Sequence, residues 1–513
     1  MLTVSSVPAP DVRANPIPPS GGLEPKAVRG IRWTFLAYAG TRVLGVAATL
    51  VLARLLVPHD FGLVAFASLT IQFVVYFTGL GLGPALVIRP GLDRRGLGTV
   101  QTSMLALGPV AAAIVLALSP VAADLLGDQR LIGVLAVLSI PVAFGGVTSF
   151  YAALLQRELA FPSLSACVLA QAAVTAAVSV SVAFLGGGVW SIVAGQVAGA
   201  GIYTAALLAR SPFLVRPRFQ LDRAREHARY GIGFVLQGGF SFIEQNLDYA
   251  VVGSISGARA LGAYSLAYRL SELPSNGIVE PVAQVTFPGF ARMKHRGEDF
   301  SETFLTVLRT VAVVGCPIAV LLAAAAEPFV RAVLGEKWLL MVGPLSVLGL
   351  WGAVRIVQAT VAWMLNSVGL ALALGRAYAV LVAVTAPILV IAATRSDVTA
   401  VSTVMLGNVI LTLTIALFLA VRTVGLPKAR LWTALRPVVL AVVPTWVVTR
   451  ALVESVDLPA APLLFLSVAA GSLTYGVVLA IAGRGVVKDV VRHAAHVWSP
   501  VAVWKASAED NPR

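Results

Sequence analysis

Charge is scarce in this chain. Asp, Glu, Lys and Arg make up 12% of its 513 residues, about half the share typical of a soluble domain. That scarcity excludes an ordinary water-soluble fold. There are only two cysteines, Cys167 and Cys316, both inside apolar runs, so neither a disulfide framework nor a cysteine metal site is expected. Five histidines are present. His493 and His496 lie near one helical face in "HAAH", with no third ligand nearby, so no metal site is expected. There is no G-x-x-x-x-G-K-[ST] stretch, which excludes P-loop ATP hydrolysis. "GLGLG" (Gly79 to Gly83) has no strand before it and sits in an apolar run, as a close-packed helix segment would. No Ser/His/Asp arrangement has supporting context. We therefore expect no cofactor and no enzyme. The first 25 residues lack the basic start and apolar core of a signal peptide and are rich in proline, as in a disordered cytoplasmic tail.

What the chain does have is apolar length. It is 58% hydrophobic, with a mean hydropathy of +0.87. Spans need about 20 mostly apolar residues. Fourteen are expected, at roughly 31–56, 61–88, 99–119, 131–155, 162–186, 188–209, 230–256, 261–287, 303–326, 340–366, 371–393, 398–421, 432–453 and 461–482. With the N-terminus inside, 27 of the 38 Lys and Arg residues fall on inner segments, seven on outer loops and four within spans. This bias orients both termini to the cytoplasm. It also accounts for the net charge of +14 without nucleic acid as a partner. The segments between spans are too short to hold a core of their own.

An internal repeat runs through the chain. "DFGLVAFASL" (Asp60 to Leu69) and "ALGAYSLAYRL" (Ala260 to Leu270) superimpose at a shift of 200 residues, with Gly62 on Gly262 and Ala67 on Ala267. The expected organisation is therefore an all-α polytopic membrane protein with two six-helix lobes in a pseudo-two-fold parallel repeat. Residues 1–28 are a disordered cytoplasmic tail, 29–209 the first lobe, and 210–229 a basic cytoplasmic connector. Residues 230–421 form the second lobe, 422–483 two extra spans, and 484–513 a cytoplasmic amphipathic or disordered tail. The connector carries six arginines. It reads as an anchor on anionic lipid or, more sharply, as a site for an anionic headgroup.

Two polar stripes interrupt the apolar pattern. Gln237, Ser241, Glu244 and Asp248 are spaced 4, 3 and 4 and share a helical face. Ser265, Arg269, Glu272, Asn276, Glu280 and Gln284 do the same on the next span. Each charge facing lipid at the midplane would cost about 2.5–3.5 kcal/mol, so a shared polar cavity between lobes is expected. A static interhelical salt-bridge network is the alternative. Asp248 and Arg269 lie at equal depth and are expected to pair. Glu244 and Glu272 are also matched in depth, and two like charges so placed cannot both ionise cheaply. Arg42, Arg269, Arg355, Gln237 and Asn276 are candidates for binding an anionic substrate. Glu244, Asp248 and Glu272 are candidates for coupling to H⁺ or Na⁺, with Glu244 favoured and Asp248 shaping the cavity.

Several stretches resemble the polysaccharide repeat-unit flippases of the multidrug/oligosaccharidyl-lipid/polysaccharide exporter superfamily. They are "LARLLVPHDFGLVAFASL", "LLQRELAFPSLS", "GGGVWSIVAGQV" and "ALGAYSLAYRLSELPSNGIVEPVAQVTFPGFARM". The resemblance runs from about Arg29 to Gly425. It implies two six-span lobes around a central cavity. It also implies transfer of undecaprenyl-pyrophosphate-linked oligosaccharide from the inner to the outer leaflet, among membrane lipids and alongside polysaccharide polymerase machinery. "TRVLG" (Thr41 to Gly45) is similar to the "SRVLG" of lipid II flippases and places Arg42 on that motif's arginine. The Arg-Asp pair that follows there is replaced by Ala48 and Thr49, which argues against lipid II. A drug exporter of the same superfamily, or a polytopic glycosyltransferase or polymerase, is the alternative. The short outer loops speak against the enzyme.

Overall fold

The computed structural model describes residues 24–78, 94–158, 160–211, 221–395 and 397–482. The side chains of 24–36, 94–97, 221–241 and Val285 are outside that description. The Pro-rich N-terminal tail, the Gly79–Gly83 run, residues 212–220 of the connector and the tail with His493 and His496 also lie outside the described residues.

Everything long among the described residues is helical. In lipid a backbone must satisfy its own N–H and C=O groups, and a helix does so within one segment. The helices are α1 (Glu24–Leu55), α2 (Pro58–Thr78), α3 (Arg94–Leu126), α4 (Arg130–Arg157), α5 (Phe161–Phe184) and α6 (Val189–Arg210). A continuous run, Leu221–His295, follows. It breaks at Gly257, whose φ of 79° and ψ of 178° are outside any helix, a backbone state that glycine adopts without steric cost. The break divides the run into α7 (221–256) and α8 (258–295). Then come α9 (Ser301–Ala324), α10 (Val342–Ser367), α11 (Ala371–Arg395), α12 (Val398–Leu419), α13 (Lys428–Ser455) and α14 (Ala460–Ala482). Asp397 caps α12, accepting from the Thr399 and Ala400 amides at 2.9 and 3.2 Å.

Twelve of these helices are long and apolar enough to cross a bilayer. The Leu221–His295 run is not among them. Twelve spans are thus shown among the described residues, and the expected count of fourteen rests on α7 and α8, the two helices that carry the polar stripes. On α8, Arg259, Arg269, Glu272 and Glu280 interrupt the apolar run.

Helix α1 packs on α5, α3 on α4, and α6 on both α4 and α5. On the other side α10 packs on α9 and α12, α11 on α12, and α13 on α9 and α14. The α7–α8 run joins the two sets, packing on α2 and α10. Lipid offers no hydrophobic drive between helices, so close approach of small residues must supply the contact. The repeat shows this most clearly. A Cβ on Gly62 would overlap the Ala258 carbonyl, and one on Gly262 would overlap the Pro58 carbonyl. The two glycines related by the 200-residue shift thus bring α2 and α8 together reciprocally, each against the first residue of the other's helix.

The largest buried cluster lies at this same end. It includes Leu52, Leu56, Phe61, Leu261, Tyr264 and Trp338. Trp338 is fully buried, donates from Nε1 to the Ala53 carbonyl at 2.7 Å and meets the edge of Phe61 at 5.1 Å. Lys337 Nζ donates to the Arg54 carbonyl at 2.6 Å, and Arg54 donates to the Ala332 carbonyl. His59 Nε2 lies 2.7 Å from Asp128. All these residues fall at the ends that the charge count assigns to the outer face. Cysteines at Gln220 and His295 are expected to react only from the cytoplasm, and one at Gly257 only from outside. Labelling of positions 220 and 257 from the same side would overturn that orientation.

Candidate functional site

The polar side chains of α7 and α8 do not face lipid singly. They meet groups from α1, α10 and α11. Arg355 on α10 donates from Nη1 to Gln358 Oε1, one turn on, at 2.7 Å. Gln358, 1% exposed, donates in turn to the Tyr378 hydroxyl on α11 at 2.6 Å. The Arg355 charge acts on Glu244 of α7 and on Glu272 of α8. Depths agree with a shared centre. Glu244, Glu272 and Arg355 sit 12 to 14 residues from the outer ends of their helices, about 20 Å at 1.5 Å per residue.

From Glu272 the cluster continues inward. Glu272 is in hydrogen-bonding reach of Asn276. The Tyr38 hydroxyl on α1 lies 2.6 Å from the Asn276 backbone carbonyl and 2.8 Å from Glu280 Oε2. Two acceptors therefore compete for one proton. Arg42 sits one turn along α1, its guanidinium 5.0 Å from the Tyr38 ring centre and 3.4 Å from Glu280 Oε2. Arg42 and Glu280 are 44% and 40% exposed. An ion pair this open is worth at most about 1 kcal/mol. An incoming anion can take the arginine without breaking the fold.

The 200-residue repeat makes this seam informative. The same shift takes Arg42 to Phe242 and Asn276 to Tyr76. On the opposite seam, between α2 and α7, Phe242 stacks on Tyr76 at 5.4 Å and packs near Phe73 and Phe77 at 6.1 and 6.5 Å. The two seams are equivalent by repeat and opposite in chemistry. One is polar and can exchange partners. The other is aromatic, and beside it lies an apolar groove of about 320 Å³ lined by Phe66, Phe73, Val121, Phe242 and Ile243 among others.

The expected residues are distributed as follows. Glu244, Glu272 and Arg355 come together. Asn276 and Arg42 join them through Tyr38 and Glu280. Arg269 has an exposed side chain within hydrogen-bonding reach of the Tyr249 hydroxyl. The side chains of Gln237 and Ser241 lie outside the described residues. One expectation needs correction: Asp248 does not pair with Arg269. Asp248 is 1% exposed, its Oδ2 accepts from the Tyr264 hydroxyl at 2.6 Å, and its Oδ1 has no partner. Equal depth put Asp248 and Arg269 on one level, but it did not put them on facing sides. Tyr38, Gln358, Tyr378 and Tyr264 were not anticipated as site residues. Tyr38 could have been found from its i, i+4 spacing to Arg42 and Gln358 from its i, i+3 spacing to Arg355. Tyr264 and Tyr378 carry no such local signal, because tyrosine in an apolar run reads first as core.

Charged groups gathered between two helical sets, which meet at one end through Trp338 and the Gly62–Gly262 contact, define a multi-pass membrane protein. The fold agrees. The inward closed conformation of the lipid II flippase MurJ superimposes with a TM-score of 0.70 at 13% identity, covering 88% of this chain and 99% of that one. An inward-facing multidrug resistance MATE family transporter superimposes at 0.56 and 14% identity, covering 75% and 95%. The chain belongs to the polysaccharide biosynthesis protein family, whose model matches residues 51–343. It is 29% identical over 312 residues to the succinoglycan biosynthesis transport protein ExoT of Rhizobium meliloti, covering 60% of this chain and 63% of that protein. The chain thus spans a little under two thirds of that relative's length. It is 25% identical to the lipopolysaccharide biosynthesis protein WzxC of Escherichia coli over 65% of this chain and 68% of the relative. It is also 25% identical to the teichuronic acid biosynthesis protein TuaB of Bacillus subtilis over 64% and 68%.

Proposed function

We propose that this protein is a flippase. It moves undecaprenyl-pyrophosphate-linked oligosaccharide repeat units from the inner to the outer leaflet of a bacterial cell membrane, with both termini in the cytoplasm. The observation that carries this reading is the pair of arginines between the helical sets: Arg42 paired with Glu280, and Arg355 bonded to Gln358 with its charge acting on Glu244 and Glu272. A pyrophosphate offers the doubly accepting oxygens that a guanidinium fork matches. Arg42 is the exchangeable contact, since Glu280 is its weak, exposed partner. Arg269 and Asn276 add donors along the same helix, and Gln237 extends the stripe inward. The hydrocarbon tail of such a substrate can stay in lipid beside the apolar groove at Phe73 and Phe242. The relatives are named for succinoglycan biosynthesis transport and for lipopolysaccharide and teichuronic acid biosynthesis, which supports a glycan-linked substrate. The energy source in this reading is an ion gradient acting through the carboxylates of α7 and α8. Polysaccharide polymerase machinery is the partner that would receive the product.

The reading is tested in proteoliposomes loaded with a defined lipid-linked glycan, scored by access of a lectin to the outer leaflet. Wild-type protein should expose glycan well above protein-free vesicles; an equal rate in both would sink the flippase reading. Arg42→Ala should lose most of the exposure while inserting normally. Arg42→Lys should keep part of it, because charge survives while the bidentate fork is lost. Unchanged transport by Arg42→Ala at equal protein level would make the arginine a bystander.

A further inference from the structure

The last two spans contribute nothing to the cluster around Arg355, yet α13 carries charge of its own. Lys428, Trp432 and Arg436 stand four residues apart on its first turns. Position around a helix advances about 100° per residue, so the three lie within about 80° of one another. All three are exposed, Trp432 to 58%. The buried side of α13 is elsewhere: Leu431, Ala434, Val438 and Ala441 are covered as α13 packs on α9 and α14. Arg430 gives the contrast. It belongs to the same stretch but to the protein side, and its Nη1 lies 2.6 Å from Glu302 Oε1 of α9. Among the described residues neither Lys428 nor Arg436 has an ion pair or a side-chain hydrogen bond.

The medium on this face is lipid. Helix α13 is long and apolar enough to cross a bilayer. Outward from Arg436 the same face continues as Val439, Val443 and Val447, all exposed, and aliphatic side chains so placed meet hydrocarbon. The 28 residues of α13 span about 42 Å against about 30 Å of hydrocarbon, an excess of about 6 Å at each end. Arg436 is eight residues from the start of α13, about 12 Å along it, and so about 6 Å inside the hydrocarbon boundary. A guanidinium there is costly unless it extends to the headgroups, as long basic side chains do. The Cα–Cβ bond tilts toward the helix N-terminus, which is the end of α13 that the charge count assigns to the cytoplasm. That tilt directs Arg436 back past Trp432 to the level of Lys428. Indole suits this path, with an apolar body and a polar N–H.

We propose that Lys428, Trp432 and Arg436 form a binding site for one anionic phospholipid of the inner leaflet, its phosphate held between the two cations and the start of its chains lying on the indole. The guanidinium presents a fork to two phosphate oxygens, and the ammonium adds a compact point charge. A zwitterionic lipid offers the same phosphate but brings a cation that Lys428 and Arg436 repel, so the site selects net negative headgroups. An acidic helix of another protein is the other conceivable occupant. Lipid is favoured because Arg436 lies inside the hydrocarbon boundary, where lipid is the solvent, and because the face beyond it is aliphatic. The site stands whether or not the protein moves a glycan. Each basic residue near the surface favours anionic lipid about fivefold, and the pair therefore about 25-fold.

The test is quenching of Trp432 fluorescence in the full-length protein, reconstituted in phosphatidylcholine vesicles containing brominated phosphatidylglycerol or, separately, brominated phosphatidylcholine. The chain has nine tryptophans, so each protein is compared with its own Trp432→Phe counterpart and the difference is the Trp432 signal. The relative binding constant should favour brominated phosphatidylglycerol about 25-fold. Lys428→Gln and Arg436→Gln should each lower that preference about fivefold, and the double variant should abolish it. Arg436→Lys should keep most of it, and added salt should weaken it. Arg430→Gln removes an equal charge from the same stretch on the paired side of α13 and should leave the preference unchanged. Melting of the double variant like the wild type is the folding control; if that variant does not fold, the single variants and Arg436→Lys decide. Equal quenching by the two brominated lipids in the wild type overturns the proposal and leaves a protein partner for this face. A preference that survives in both single variants at full size also overturns it. An equal loss in Arg430→Gln overturns it in favour of a diffuse surface potential.

Discussion

Arg355→Ala should lower stability by about 1–3 kcal/mol and abolish the proposed flipping, because it removes the positive charge that acts on both Glu244 and Glu272. The charge acts over a distance rather than through a contact ion pair, and all three side chains are only partly buried, so the cost stays below that of breaking a buried pair. The loss is not one of a single contact. Arg355 also orients Gln358 through the 2.7 Å bond, and Gln358 holds the Tyr378 hydroxyl. Arg355→Lys keeps a charge at the centre but loses the planar fork, so partial stability without full transport is expected. The sharper test is a combination. Arg355→Ala joined to Glu244→Gln and Glu272→Gln removes the stranded charges along with the arginine. It should recover more than half of the stability lost by Arg355→Ala alone, a non-additivity expected of charges in one network. Melting curves in one detergent read this directly. An Arg355→Ala protein that melts like wild type, or a triple variant that melts lower still, would show that Arg355 does not neutralise these carboxylates.

A comparable effect is expected from the two repeat-related glycines. Gly62→Ala and Gly262→Ala each place a Cβ into a backbone carbonyl of the opposing helix. Neither carbonyl is the tip of a flexible side chain, so α2 and α8 must part. Overpacking of this kind costs about 1–3 kcal/mol, occasionally more. The separation also opens the cluster around Trp338, whose Nε1 bond to Ala53 and edge contact with Phe61 depend on close helices. Each variant should therefore melt lower, and a cysteine at Lys337 should label faster from outside. Because one displacement makes room for both methyl groups, the double variant should cost clearly less than the sum of the two singles. Additive losses would mean that the glycines act at separate contacts, and unchanged melting would mean that the reciprocal packing is dispensable.

These two sites show different degrees of legibility. Gly62 and Gly262 were paired by the repeat, but a shift of 200 residues says only that they are equivalent. That they touch follows from their position beside the pseudo-two-fold relation, which no comparison of two strings reveals. The polar stripes were legible because helical periodicity is local. Glu244, Glu272 and Arg355 could be assigned one depth because depth is linear in residue number. Tyr264 and Tyr378 escaped because a tyrosine inside an apolar helix reads first as core, whereas Tyr38 and Gln358 were marked only by their spacings to Arg42 and Arg355.

The sequence by itself determined that this is a helical membrane protein, where most of its described helices begin and end to within a few residues, and which helices carry charge within their length. Scarcity of charge, apolar run length and the lipid's refusal of unpaired backbone groups suffice for that. Only the tertiary structure decided which polar groups meet. Asp248 and Arg269 share a level, yet Asp248 met Tyr264 while Arg269 turned to Tyr249. Position around a helix advances by about 100° per residue, and at Gly257 the chain leaves the helix altogether. The azimuth of α8 relative to α7 is therefore set by that glycine's turn and by the packing of α2 and α10 against both, and not by any pattern within either stripe.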